Sequence, residues 1–247
     1  MRLLSLAPSN TEIVAALGGA AHLVAVTRYC DYPPGIGTLP KVGGWTDVDD
    51  GLVAGLRPDL ILTSTGVQHE AERRFAALGL AVLHVDPHTL GDVRQTFRTI
   101  GDAIGRQDEA TTLIARFDTD MQAQTASGST GLRVYVEEWH QPPTPSGNWV
   151  PELIQLAGGV CPLLVAGERS RPIPETDLLA FDPELIVLSL CGVGQLAKAG
   201  IVHRRPGWAG MSACQGDRVV VIDDSLLNRP GPRLTEGLAL LRQLISG

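Results

Sequence analysis

Few residues in this chain have the type and spacing that catalysis requires. Ser5, Ser9 and Ser64 stand outside any G-x-S-x-G context, so no nucleophile elbow is signalled. No G-x-G-x-x-G or phosphate-loop motif occurs, and Gly192-x-Gly194 alone is a weak signal. His84 and His88 are four apart, but Asp86-Pro87 breaks the helix that would set them on one face. His69 and Glu72 are three apart on a predicted helix. A metal pair fits that spacing, and so does the commoner solvated helix face. Asp223-Asp224 and His203 form an acid/base set only if the fold joins them.

Residues suited to gripping a ligand are better represented. Residues 29–45 read Y-C-D-Y-P-P-G-I-G-T-L-P-K-V-G-G-W, with rings at Tyr29, Tyr32 and Trp45 in a chain only 4% aromatic. Pro33, Pro34 and Pro40 fix φ and lower the cost of ordering the loop. A stiff loop with exposed rings suits a flat, partly apolar ligand, although the same rings could pack onto the core. A second Pro/Gly stretch runs W-H-Q-P-P-T-P-S-G-N from Trp139 and meets Trp149. Among cations, Arg204, Arg205, Arg229 and Arg233 stand out. Arg229 and Arg233 bracket Pro230-Gly231-Pro232 at a predicted helix start. Two readings stand there, an anion site and pairing with Asp223 or Asp224.

The totals narrow the class. With 247 residues, 44% hydrophobic and 19% charged, the chain suits a packed globule of one large domain or two lobes. A net charge of −7 and the lack of basic runs beyond pairs argue against nucleic acid as a partner. Cys30, Cys161, Cys191 and Cys214 form no C-x-x-C, so zinc-ribbon and thioredoxin chemistry are not signalled. No apolar run approaches the ~20 residues of a membrane helix. Met1-Arg2 leads straight into an apolar run and Pro8, with no secretory signal. The expected location is therefore cytoplasmic if Met1 is the native start, and periplasmic or cell-surface if a leader was removed.

The elements that must position these residues alternate. Strands are predicted at 3–6, 23–26, 60–63 and 81–85, with helices at 11–17, 48–56, 68–78 and 90–104. Ser9 or Asn10 is the expected cap of the first helix. Alternation of this kind predicts a parallel sheet covered on both faces. An uninterrupted helical pattern follows at 107–126, spanning ~30 Å. The pattern then restarts, with strands at 132–138, 185–190 and 219–222 and a last helix at 232–245. The halves echo each other: T-E-I-V-A-A-L-G-G with P-E-L-I-Q-L-A-G-G, and L-R-P-D-L-I-L with F-D-P-E-L-I-V-L. The expected fold is α/β, two Rossmann-like lobes with parallel central sheets joined by one long backbone helix. Its boundaries are 1–105, 106–128 and 129–247. Ligands then bind beyond the carboxyl ends of the strands.

Taken together, S-L-A-P-S-N-T-E-I, D-Y-P-P, V-G-G-W, R-P-D-L-I-L, P-S-G and R-P-G-P-R occur in this order nearly from end to end. In this the chain resembles the substrate-binding proteins of cobalamin and ferric-siderophore ABC importers. E-E-W-H-Q-P-P followed by G-N-W-V-P-E-L is most similar to the cobalamin-binding members. The resemblance implies a non-enzymatic binding protein: a corrinoid ligand held between the lobes, with Fe(III)-siderophore or haem as substitutes. Ser9, Asn10, Tyr29, Trp45 and Ser64 would face it from the first lobe, and Trp139, Thr144, Trp149 and Arg229 from the second. His140 is a conceivable axial ligand, although a solvent-facing loop histidine is the commoner case. Importer-coupled members carry a docking glutamate on each lobe. Gly51 and Thr176 stand at those places here, so Asp49, Asp50, Glu175 and Asp177 are the residues expected to dock to a membrane subunit. A cytosolic corrinoid-handling or salvage protein is the alternative. The resemblance implies cobalamin as ligand, no required cofactor, and a monomer.

Overall fold

A computed structural model describes residues 1–247. The chain divides into two compact units. One comprises residues 1–87 and 91–117, the other residues 88–90 and 118–247. No helix is long and apolar enough to cross a membrane.

The first unit alternates strand and helix: β1 (Leu3–Ser5), α1 (Pro8–Ala16), β2 (Leu23–Val26), α2 (Asp50–Leu56), β3 (Leu60–Ser64), α3 (His69–Ala77), β4 (Val82–Val85) and α4 (Leu90–Ala103). Helix α5 (Gln107–Gln124) supplies its first residues to this unit and its last to the other. The four strands are all parallel, in the order β2-β1-β3-β4. The short apolar runs of the central strands β1 and β3 are buried on both faces, as parallel strands require, while edge strand β4 is only partly buried. Leu4, Leu6, Ala25, Val53, Ile61 and Phe75 form one cluster of this core, each large side chain contributing about 1.5–3 kcal/mol. On the α4–α5 side, Phe97 meets Phe117 edge to face at 5.3 Å.

Helix α1 starts three residues before the expected 11, and neither Ser9 nor Asn10 caps it. Ala7 is the N-cap, with no side-chain acceptor. The reason is Pro8 in the first turn: it has no N–H to satisfy, and its φ is already helical. Ser9 and Asn10 are thus carried inside the helix, both buried.

The second unit contains β5 (Val134–His140), β6 (Pro143–Pro145), α6 (Val150–Leu156), α7 (Glu175–Phe181), β7 (Leu185–Leu188), α8 (Gly200–His203), α9 (Ser212–Gln215), β8 (Val219–Val221), α10 (Asp224–Leu227) and α11 (Leu234–Ser246). Its sheet has the order β6-β5-β7-β8. Strands β5, β7 and β8 are parallel, but β6 runs antiparallel along the edge of β5. This sheet is therefore mixed, and the stretch expected as a bare loop folds back as an edge strand. Pro143 and Pro145 lack the N–H that a central strand would need, and only an edge tolerates that loss. Tyr135, Ile186, Leu188 and Trp208 centre the core, with Tyr135 and Trp208 edge to face at 6.0 Å.

The sequence echoes mark equivalent positions. Both α1 and α6 end at a glycine with positive φ, Gly18 at 72° and Gly158 at 90°, where a side chain would be strained. Both α2 and α7 end on a left-handed residue before proline, Arg57 at φ 47° and Asp182 at φ 46°. Each then enters a strand that pairs in parallel with the first strand of its own sheet, β3 with β1 and β7 with β5.

Candidate ligand site

In the first unit the loops beyond the strand ends are tied together by Gln68, which is buried. Its side-chain oxygen accepts from the Ser64 N–H at 2.8 Å. Its amide donates to the carbonyls of Leu6 at 2.7 Å and Trp45 at 3.2 Å. One side chain therefore fixes the ends of β1 and β3 and the loop carrying Trp45. Asn10 adds a second tie, donating to the Thr63 carbonyl at 3.0 Å. The aromatic loop is pinned by Arg28 and Asp47 at 2.7 Å, with Asp47 also accepting from the Gly44 N–H. Arg28 holds the Asp47 carboxyl below its ordinary range.

On this frame Tyr29, 39% exposed, and half-buried Trp45 hold their rings 5.9 Å apart at 60°. Three buried polar atoms at the same strand ends have no hydrogen-bond partner: Asn10 Oδ1, Ser64 Oγ and Trp45 Nε1. Such atoms are uncommon in native proteins and cost about 1–3 kcal/mol each when left unmatched. Ser9 lies beside them in the first turn of α1, also buried.

The same end of this sheet gathers histidines that the chain keeps apart. His84 pairs in register with Thr63, and its Nδ1 lies 2.9 Å from the Thr63 hydroxyl. His69 opens α3 with its ring 4.3 Å from that of His84. Glu72 sits 3.1 Å from His69 Nδ1, and Asp86 sits 3.8 Å from His69 Nε2. Burial pushes the His84 imidazole below its ordinary value, so it is neutral at neutral pH. His69 and Glu72 pair on one face of α3 with side chains 45% and 34% exposed, and the fold brings His69 and His84 together. They meet across β4 and α3, a tertiary contact that no linear spacing reveals.

In the second unit Trp139 is 49% exposed, with its indole N–H donating to the Gln141 carbonyl at 3.0 Å. His140 follows it, half-buried, with its ring centroid 6.0 Å away. Thr144 is buried on the edge strand and donates to the Pro142 carbonyl at 2.9 Å. Trp149, expected to face a ligand, is packed inside its own unit. It is 3% exposed, and its N–H donates to the Leu227 carbonyl at 2.7 Å. The reason is its place at the start of α6, whose apolar residues Val150, Leu153 and Ile154 are buried with it. A counterpart to Gln68 is Asn228, whose amide donates to the Ser189 carbonyl and accepts from the Ser146 hydroxyl at 3.2 Å.

The cations divide by role. Arg205 is committed internally: it grips the fully buried Glu137 with two hydrogen bonds of 2.6 and 2.7 Å, and stacks 4.3 Å over Trp208. Tyr135 donates to the same carboxylate at 3.0 Å. Arg204 is exposed and lines an open cavity of ≈ 400 Å³ with His140, Gln141 and Glu175. Asp224 accepts from the amides of Gly192 at 3.1 Å and Gly194 at 2.9 Å, holding the loop after β7. Asp223 caps α10 through the Ser225 N–H. Arg229 is half-buried, and its charge acts on the Cys191 thiol, which burial raises far above its ordinary value. Glu138 sits nearby on β5, and burial pushes its carboxyl up to about 7.

The acidic residues expected to dock fall at equivalent places. Asp49 caps α2 by accepting from the Leu52 N–H at 2.9 Å, and Asp50 pairs with Arg74 at 3.1 Å. Glu175 opens α7 and accepts from the Trp208 N–H at 2.8 Å, with Asp177 exposed two residues on.

Two α/β units built on largely parallel sheets, each presenting rings and anchored loops at its strand ends, define a solute-binding class of protein. The chain belongs to the periplasmic binding protein family, whose family model matches residues 3–226. It is 30% identical to an uncharacterized ABC transporter substrate-binding lipoprotein, YvrC, of Bacillus subtilis, over 99% of this chain and 79% of that one. Its structure is similar to the periplasmic vitamin B12 binding protein BtuF of Vibrio cholerae, with TM-score 0.78, 25% identity, and 99% and 96% of the two chains covered. It is also similar to the periplasmic heme-binding protein BhuT, solved with two hemes, with TM-score 0.84, 26% identity, and 99% and 97% covered.

Sequence reasoning missed Gln68, Asn228, Glu137 and Arg205 as organisers of the site. Gln68 and Asn228 carry no motif, because their role lies in contacts distant along the chain. Glu137 had a signal, a charge inside an apolar strand, which requires a buried partner.

Proposed function

We propose that the chain binds a corrinoid such as cobalamin without turning it over, as the substrate-binding component of an ABC-type uptake system. The observation that carries this reading is the Tyr29–Trp45 ring pair beside three unpartnered buried polar atoms, on Asn10, Trp45 and Ser64. A corrin is a broad, partly apolar disc with amide-bearing edges and a phosphate. Rings give it stacking area, and unmatched polar groups or their bridging waters meet its amides. In the second unit Trp139 offers a further exposed ring and Arg229 a guanidinium for the phosphate. The family membership and the vitamin B12 binding relative support the same reading.

Haem is the second reading, favoured by the likeness to a heme-binding protein at TM-score 0.84. It too is a flat ring that would stack on Tyr29 and Trp45. The test is incubation with cobalamin, haemin or a ferric siderophore in separate samples, then gel filtration read by visible absorbance. The expected result is a coloured protein peak with cobalamin at one equivalent. A peak coloured only by haemin or the siderophore would replace the ligand. A colourless peak in every arm would remove the binding proposal.

A further inference from the structure

The histidine cluster at the end of the first sheet has a second set of properties that the cargo reading does not use. One ligating atom each from His69, His84 and Asp86 lies within 4.8 Å of the other two. Four-coordinate zinc holds its ligands at about 2.0–2.2 Å, which sets neighbouring donors about 3.3–3.5 Å apart. Small side-chain adjustments therefore close the set, and His69 and Asp86 are on partly exposed positions that allow them.

The hydrogen bonds leave the right atoms available. Each imidazole has one nitrogen engaged by a neighbour: His69 Nδ1 by Glu72 at 3.1 Å, and His84 Nδ1 by the Thr63 hydroxyl at 2.9 Å. Metal-binding histidines are held in this way, with the other ring nitrogen fixed by a carboxylate or another polar group. The remaining nitrogen of His84, Nε2, is buried and has no hydrogen-bond partner, on a side chain only 10% exposed. In the tautomer whose Nδ1–H donates to Thr63, this nitrogen carries a lone pair that a cation would match. His69 Nε2 lies 3.8 Å from Asp86.

We propose that His69, His84 and Asp86 bind a divalent first-row transition cation, with Glu72 and Thr63 orienting the two imidazoles. Two imidazoles and one carboxylate select zinc or cobalt(II) over magnesium and calcium, which take oxygen ligands. Three protein ligands leave a fourth position open to water or to a donor on a bound molecule. The site lies within one unit and stands whether the cargo is a corrinoid or not.

The experiment titrates the untagged, chelator-treated chain with cobalt(II), followed by visible absorbance, and with zinc, followed by thermal denaturation. The expected result is one equivalent of cobalt(II) with a d–d spectrum of nitrogen and oxygen ligands, and a higher melting temperature in zinc. His84→Gln and His69→Gln remove the saturable spectrum, and Glu72→Gln weakens binding by about 10–100-fold. Circular dichroism of each variant, without metal, shows that the fold is retained. No saturable uptake by the natural chain overturns the proposal. So does undiminished uptake by the double variant H69Q/H84Q, or a thiolate charge-transfer band, which would move the metal to a cysteine.

Discussion

At the scale of single residues, tryptophan divides into two kinds, and the division is testable. Trp45 shares a ring contact with Tyr29 and keeps an unmatched N–H, whereas Trp149 is buried with its N–H bonded to a carbonyl. Trp45→Ala is expected to weaken cobalamin binding at least about tenfold with a small change in melting temperature. Trp149→Ala is expected to cost about 3–5 kcal/mol of stability, the usual range for a buried tryptophan. Equal destabilisation by both, read by chemical denaturation, would place Trp45 in the core. Glu138 offers a second residue-scale test. Its carboxyl titrates near 7 in the folded chain against 4.5 ordinarily, so folding favours its protonated form. That contribution is complete below about pH 4.5 and is lost as pH rises through about 7. It amounts to about 1–3 kcal/mol at about 1.4 kcal/mol per unit, reduced for residual exposure. Glu138→Gln should flatten the fall in stability between pH 5 and 8. An unchanged slope would reject Glu138 as its source.

At the scale of elements, the α2–β3 and α7–β7 connections matter most. Both were legible, because L-R-P-D-L and F-D-P-E-L state a helix end, a proline and a strand entry in sequence. The alternation of strand and helix and the long α5 helix were legible for the same reason: local periodicity encodes them. The start of α1 was misread, since capping propensity at Ser9 and Asn10 lost to Pro8 in the first turn. The antiparallel β6 was missed because its prolines read as loop, and only its neighbour β5 makes a strand of it. The site was legible in part. Ring scarcity singled out Tyr29, Trp45 and Trp139, whose rings the fold leaves exposed or half-buried, but the Gln68 tie and the His69–His84 contact depend on which strands lie side by side. The docking proposal belongs to this scale too. Changing Asp49, Asp50, Glu175 and Asp177 together is expected to abolish uptake in a reconstituted importer while leaving ligand affinity within about threefold. Loss of the Asp49 cap should cost about 1 kcal/mol, so stability is measured beside transport. Unchanged uptake would exclude these carboxylates from docking.

At the scale of the whole molecule, each unit repeats one plan: a sheet with three or more parallel strands, a glycine-ended first helix, and a polar side chain tying its strand-end loops. Loops fixed in this way lose little entropy on binding, which suits capture of a large rigid ligand. The buried Glu137–Arg205 pair serves the same end in the second unit by anchoring β5 to the segment before Trp208. The central claim is that this frame holds a corrinoid. Calorimetric titration of cobalamin into the purified chain, with haemin as the competing ligand, tests it most directly. The account predicts one saturable cobalamin site of micromolar affinity or tighter, about −8 kcal/mol or more favourable, that survives excess haemin. Absence of saturation by cobalamin, or its complete displacement by haemin, would contradict it.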